Sequence, residues 1–215
     1  MEEERDRPID EQFPFVRLDI DKMSKNIDKL ERSTRRLDCY NKNRDTELEV
    51  IIQKWLINHF QKQKYQVENL HDNIKNGEIL NDTGDKPIVQ WDAIVAVKKE
   101  NEKLLYFVET KTTPHINDIL GDNQNTLKSR INRTKDFIQN LNFDNISGNT
   151  KNQRAVFKNY QDYEIVVCYA SRNIDEWIKK GLEQFRVDTG IRTAFIVGNF
   201  EFSLKDADAL TLIEN

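Results

Sequence analysis

Three ionisable residues draw attention by type and spacing: Asp92, then after sixteen intervening residues Glu109, with Lys111 two places further on. Two carboxylates offer the oxygen ligands that suit Mg²⁺, an ion that usually keeps several of its waters. A lysine aimed at the same point can orient or deprotonate a water at such an ion and stabilise developing negative charge. Their setting sharpens this. Trp91–Val97 and Leu104–Lys111 read as two strands, rich in β-branched and aromatic residues and joined by the polar run Lys98–Lys103. Alternation places Leu105, Phe107, Glu109 and Lys111 on one side, and Leu104, Tyr106, Val108 and Thr110 on the other. Both sides are apolar almost to the end, as in a central strand covered on both faces. Charges there are costly unless paired or bound to a metal. The economical expectation is that Asp92, Glu109 and Lys111 neutralise one another around a cation. The plain alternative is a surface hairpin with ordinary charged ends. Against it, both acids fall at buried strand boundaries, on strands expected to be neighbours.

Asp92, sixteen residues, then Glu109-Thr110-Lys111 resembles the PD-(D/E)xK nuclease signature, over a span of roughly Asp45 to Phe202. The residue before the aspartate is Trp91 rather than the family's proline. The resemblance implies an α/β restriction-endonuclease-like fold, a mixed central sheet flanked by helices. It also implies hydrolysis of phosphodiester bonds with Mg²⁺, for which Mn²⁺ can substitute. The carbonyl of Thr110 is then a metal ligand, and the first helix of the domain contributes a glutamate. Glu49, which continues the row Ile52–Leu56–Phe60, is favoured over Glu47 on the opposite edge beside Val50 and Ile51. Either acid is equally explained by the helix dipole. The expected catalytic set is therefore Asp92, Glu109, Lys111 and one of Glu49 or Glu47, with Asp92, Glu109, Thr110 and Glu49 as metal ligands. The expected substrate is nucleic acid, DNA in the first instance. A catalytically silent nuclease fold that binds partners and assembles through its N-terminal helix is the competing expectation.

Composition sets bounds. The chain has 215 residues, 33% of them charged and 37% hydrophobic, more polar than an average globular chain. A net charge of −4 gives no global case for a nucleic-acid partner, so any such case is local. No apolar run approaches the roughly 20 residues of a membrane helix. The acidic start, Met1-Glu2-Glu3-Glu4, lacks an apolar core and is not expected to act as a secretory leader. Cys39 and Cys168 sit in unlike contexts, which suggests free thiols and a cytoplasmic setting. Three scattered histidines form no zinc cluster with them.

The elements that must hold the site follow in order. Residues 1–17 read as an extended or disordered lead. Residues 18–44 form a charged helix with a narrow seam, Ile20, Met23, Ile27, Leu30, Thr34 and Leu37, at heptad spacing. Self-pairing into a homodimer through residues 18–40 and docking on the same chain are its two readings. A domain over 45–205 follows, with a tail at 206–215. It opens with a helix to about Lys62, capped by Asp45 or Thr46, whose apolar face is Leu48, Ile52, Trp55 and Leu56. Strands are expected at Tyr65–Leu70, Glu78–Leu80, Glu164–Ala170 and Arg192–Phe202, with Pro87 introducing the Asp92 strand. A helix broken near Gly121 spans 117–141. Its Lys128, Arg130, Arg133 and Lys135 are the local candidates for phosphate contact. His115, before it, is a loop residue within possible reach of the metal. Asn142–Thr150 reads as a flexible connection. Ile174–Val187 reads as an amphipathic helix with Trp177, Ile178, Leu182 and Phe185 inward, ended by Gly190. Strand–helix–strand in this region implies a parallel crossover.

Overall fold

Apolar residues at every fourth position, Leu48, Ile52, Leu56 and Phe60, make one buried stripe on the first helix, α1, at residues 48–62. The structure is a computed structural model that describes residues 48–111, 115–121, 123–171, 174–198 and 210–214. The expectations for the lead, for the helix at 18–44 and for Glu47 lie outside the described residues. The chain divides into Met1–Arg44 and Asp45–Asn215, and the second unit is the one described.

Six strands form one mixed sheet: β1 (Gln66–Asn69), β4 (Ala93–Lys98), β5 (Lys103–Lys111), β6 (Glu164–Ser171), β7 (Arg192–Val197) and β8 (Thr211–Glu214), in the order β1-β4-β5-β6-β7-β8. Strands β5, β6 and β7 run parallel, and the remaining pairings are antiparallel. A separate hairpin joins β2 (Glu78–Leu80) to β3 (Pro87–Gln90). Helices α2 (Ile116–Leu120), α3 (Leu127–Gln139), α4 (Gly148–Lys158) and α5 (Glu176–Thr189), with a 3-10 turn at Asp72–Ile74, complete the described elements. Among the described residues, no helix is long and apolar enough to cross a membrane.

The alternation of β5 decides where the cores lie. Leu104, Tyr106 and Val108 pack with Val95, Cys168 and the α1 stripe. Leu105 and Phe107 pack on the opposite face with Ile94, Tyr169, Ile119, Ile131, Phe157 and Leu182. The central strand is thus covered on both sides, and Cys168 is a buried core thiol. Helix α5 links the parallel strands β6 and β7, as the crossover rule requires.

Four local expectations are corrected. Pro87 begins β3 rather than the Asp92 strand, and Trp91-Asp92 is the break between β3 and β4. The connection expected at Asn142–Thr150 ends in a helix: Ser147 caps α4 by accepting the Thr150 N–H at 3.2 Å. That helix buries Gln153 through hydrogen bonds rather than through an apolar stripe. The Gln153 side chain accepts from Leu80 N–H at 2.9 Å and donates to the Glu78 carbonyl at 2.7 Å. Trp177 is 68% exposed, because Ile178, Leu182 and Phe185 already fill the inward stripe of α5. Finally, the segment read as a tail contains β8, which pairs with β7.

Gly77 sets the approach to the Asp92 turn. Its φ is +77°, its carbonyl accepts the Trp91 N–H at 3.1 Å, and a Cβ built there would lie 2.0 Å from the Trp91 carbonyl. Gly190 has a similar φ of +65° but open space around its Cβ position. Gly190→Ala is therefore expected to cost about 1–2 kcal/mol, the left-handed backbone penalty alone. Gly77→Ala should cost clearly more, because backbone must move as well. Urea unfolding of the two variants checks this; equal losses would show that the close approach to Trp91 is unimportant.

Candidate active site

Strand β5 carries Glu109 and Lys111 to its carboxyl end on the face of Leu105 and Phe107. Asp92 arrives there from the neighbouring strand. Its backbone N–H donates to the Val108 carbonyl at 3.0 Å, extending the β4–β5 ladder by one residue. By alternation from Ile94 and Ala96, its side chain shares the Glu109 face. The Asp92 carboxylate accepts the Thr110 N–H at 2.6 Å, which fixes it against the β5 backbone between Glu109 and Lys111. All three residues line one cleft of about 540 Å³.

Glu109 is 5% exposed, and both of its oxygens are engaged. Lys111 Nζ lies 2.8 Å from Oε1, and the Arg130 guanidinium contacts Oε2. Arg130 comes from α3, lies 4.6 Å above the Trp91 ring and donates to the Gln90 carbonyl as well. Trp91 is itself fully buried, with its indole N–H donating to Thr134 Oγ1 of α3 at 3.0 Å. One tryptophan therefore ties the acid-bearing turn to the helix that supplies the arginine.

The electrostatics follow from this crowding. Burial, and then the charges of Glu109 and Glu49, push the Asp92 carboxyl well above the ordinary carboxylate range. The Thr110 N–H and Arg130 pull it down by less. For Lys111, burial works against the charged form, but the charge and hydrogen bond of Glu109, with the charge of Asp92, outweigh it. Its ammonium is held above the ordinary lysine value and stays protonated at neutral pH.

Every expected site residue except Glu47, which lies outside the described residues, can now be placed. Asp92, Glu109, Lys111 and the backbone of Thr110 come together, and the half-buried Glu49 acts on Asp92 through its charge. Arg130 and Arg133 line the same cleft. Lys128 instead pairs with Asp188 at 2.7 Å, and Lys135 borders a different depression beside Tyr160 and Tyr163. His115 is exposed, and its N–H donates to Asp118 at the start of α2. Among the described residues, no group of three or more His, Cys, Asp or Glu side chains is gathered so as to hold a metal ion.

Sequence reasoning missed two residues of β6. Tyr169 and Ser171 are register neighbours of Glu109 and Lys111 and, by alternation, share their face. Both are fully buried, yet among the described residues the Tyr169 hydroxyl and Ser171 Oγ have no hydrogen-bond partner. Burial and the charges of Asp118 and Glu109 push the Tyr169 phenol up, so it remains a donor. Their signal was weak, since Tyr169 and Ser171 read as ordinary residues of a buried strand. Comparison with known proteins gives no matching family model, no matching curated protein and no matching solved structure.

Two outcomes are expected. The folded-state pKa of Asp92 lies above its ordinary 3.8, so the native state holds a proton that the unfolded state has released. Its contribution to stability is fully present below that ordinary value and is lost as pH rises through the raised one. Asp92→Asn should therefore gain stability over wild type in EDTA as pH climbs from acid into the neutral range; urea midpoints that do not diverge with pH would contradict this. Tyr169→Phe should hold or raise the melting temperature, since an unpaired buried hydroxyl costs about 1–3 kcal/mol. A clear drop would reveal a partner for that hydroxyl.

Proposed function

We propose that the chain is a divalent-metal-dependent nuclease with a restriction-endonuclease-like fold, hydrolysing phosphodiester bonds of nucleic acid, DNA in the first instance. One observation carries this reading: Asp92, Glu109 and Lys111 converge on one cleft from adjoining strands, with Asp92 locked to the Thr110 N–H at 2.6 Å. The mixed sheet, with these acids on its antiparallel β4–β5 pair and parallel strands beyond, supports the fold assignment.

The donor set fits a hard cation. It consists of carboxylate and carbonyl oxygens, with no imidazole or thiolate in the cleft lining. Asp92 and Glu109, the two carboxylates that line the cleft, would hold Mg²⁺ or Mn²⁺; the Thr110 carbonyl and Glu49 are the further donors that the family resemblance implies. Such an ion supplies Lewis-acid polarisation of the phosphoryl oxygens and a lowered pKa for water. Lys111, held protonated, sets positive charge against the negative charge that grows on phosphorus oxygens in the transition state. Its part is positioning and charge stabilisation, rather than proton abstraction. Arg133 donates to the Ile88 and Gln124 carbonyls and, among the described residues, pairs with no carboxylate. Its charge is therefore open to a backbone phosphate.

A second reading, a catalytically silent nuclease fold that binds a partner, also has an observation in its favour. Both oxygens of Glu109 are satisfied by cations of its own chain, Lys111 and Arg130, so the cluster is close to charge balance by itself.

Cleavage assays separate the two readings. Supercoiled plasmid, linear duplex, single-stranded DNA and RNA are incubated with Mg²⁺, Mn²⁺ or EDTA. Wild type should cut in a metal-dependent way, while Asp92→Ala and Lys111→Ala should lose roughly a hundredfold or more of the rate. Identical cleavage by all three proteins, or none by wild type with either ion, would remove the nuclease reading.

A further inference from the structure

The charge on Glu109 is matched in this structure by Arg130, a residue from outside the Asp-Glu-Lys triad. Among the described residues, Glu109 is the sole carboxylate that Arg130 pairs with. Its remaining contacts are the neutral Gln90 carbonyl and the face of Trp91. Lys111 holds the other Glu109 oxygen. A divalent cation that takes Glu109 as a ligand therefore competes for its charge with two cations already seated there.

We propose that Arg130 is an exchangeable counter-ion: it holds Glu109 in the metal-free protein and passes to a phosphate of the bound strand once a divalent cation takes Glu109. This rests on the nuclease reading. Arg130 is better suited to the exchange than Lys111. The Trp91 ring and the Gln90 carbonyl keep its guanidinium in the cleft when the carboxylate is lost. A guanidinium offers a planar fork that matches two phosphate oxygens, which an ammonium does not. Arg133, one turn further along α3, lines the same cleft. Release of Arg130 would thus pair two guanidiniums on one strand. Because metal frees the phosphate-binding group, strand and metal must each strengthen the other's binding, by reciprocity.

The test measures metal and strand separately, on the full chain. Mn²⁺ affinity is read by calorimetry without nucleic acid. Strand affinity is read by fluorescence anisotropy on a phosphorothioate duplex that resists cleavage, with and without Mn²⁺. Arg130→Gln should bind Mn²⁺ about tenfold tighter and, with Mn²⁺ present, the duplex about tenfold more weakly, the scale of one hydrogen bond between charged groups. Arg133→Gln should weaken the duplex without tightening Mn²⁺. A residue that only supports the fold would weaken both when replaced, so the opposite signs are diagnostic. Should Arg130→Gln fail the circular-dichroism check for folding, Arg130→Lys, which keeps the charge without the fork, should still bind Mn²⁺ more tightly than wild type. Mn²⁺ binding unchanged or weakened in the folded Arg130 variant, while wild type binds the ion, overturns the exchange and leaves the nuclease reading intact. Wild type that neither binds Mn²⁺ nor cleaves removes both.

Discussion

A carboxylate that is 5% exposed at the end of a central strand cannot stand without a compensating charge, and the candidate site is arranged around that requirement. Glu109 is carried inward by the same alternation that buries Leu105 and Phe107. Once there, it draws Lys111 from its own strand and Arg130 from α3. Asp92 meets the same need differently: a backbone N–H holds it, and its carboxyl is driven toward the protonated form by burial and by neighbouring acids. Two acids on one face thus settle into unlike states, one paired and one poised to release a proton to a competing cation.

The framework that keeps this arrangement open is built from a few specific contacts. Trp91 fills the space beneath the cleft, 5.3 Å from Phe107, and reaches Thr134 through its indole N–H. With Arg130 over its ring, it couples the turn before β4 to α3. The β2–β3 hairpin is held in place by Gln153 and Arg154 of α4, the latter paired with Asp82 at 2.5 Å. Residues of that hairpin form one wall of the cleft. Loss of the hairpin would therefore widen the site without touching an acid.

What the sequence revealed, and what it concealed, divides along physical lines. The β4 and β5 strands, the α1 stripe and the Gly190 helix end were legible because hydrophobic period and backbone conformation are local properties. The convergence of Asp92, Glu109 and Lys111 was legible because strand alternation makes face membership countable. The α4 helix was not, since Gly148-Asn149-Thr150 is a poor helical start, and its burial relies on Gln153 and Arg154 reaching backbone carbonyls and amides distant in sequence. Trp177 misled for the opposite reason: a large aromatic beside an apolar stripe counts as core by composition, although Ile178 had already taken the inward position. Arg130 was one of four similar basic residues in sequence, and only the folded positions of Glu109 and Trp91 beside it, and of Asp188 beside Lys128, tell the two apart.

The self-neutralised state of the site has a consequence for how its charges should be read. Replacing a buried ion pair by apolar residues of similar volume is often neutral or stabilising. An apolar residue at position 109, with uncharged partners at 111 and 130, is therefore expected to close the sheet end at little cost to the fold. The chain instead keeps Asp92, Glu109, Lys111 and Arg130 together on the wall of an open cleft; among the described residues, Arg133 beside them pairs with no carboxylate and two β6 hydroxyls at the neighbouring register positions are unpaired. Fold stability is a weak account of such a concentration, because buried ion pairs add little net stability and unpaired buried hydroxyls cost free energy. Under the proposed nuclease reading, a divalent ion would bring positive charge to the acids and a strand phosphate negative charge to the arginines.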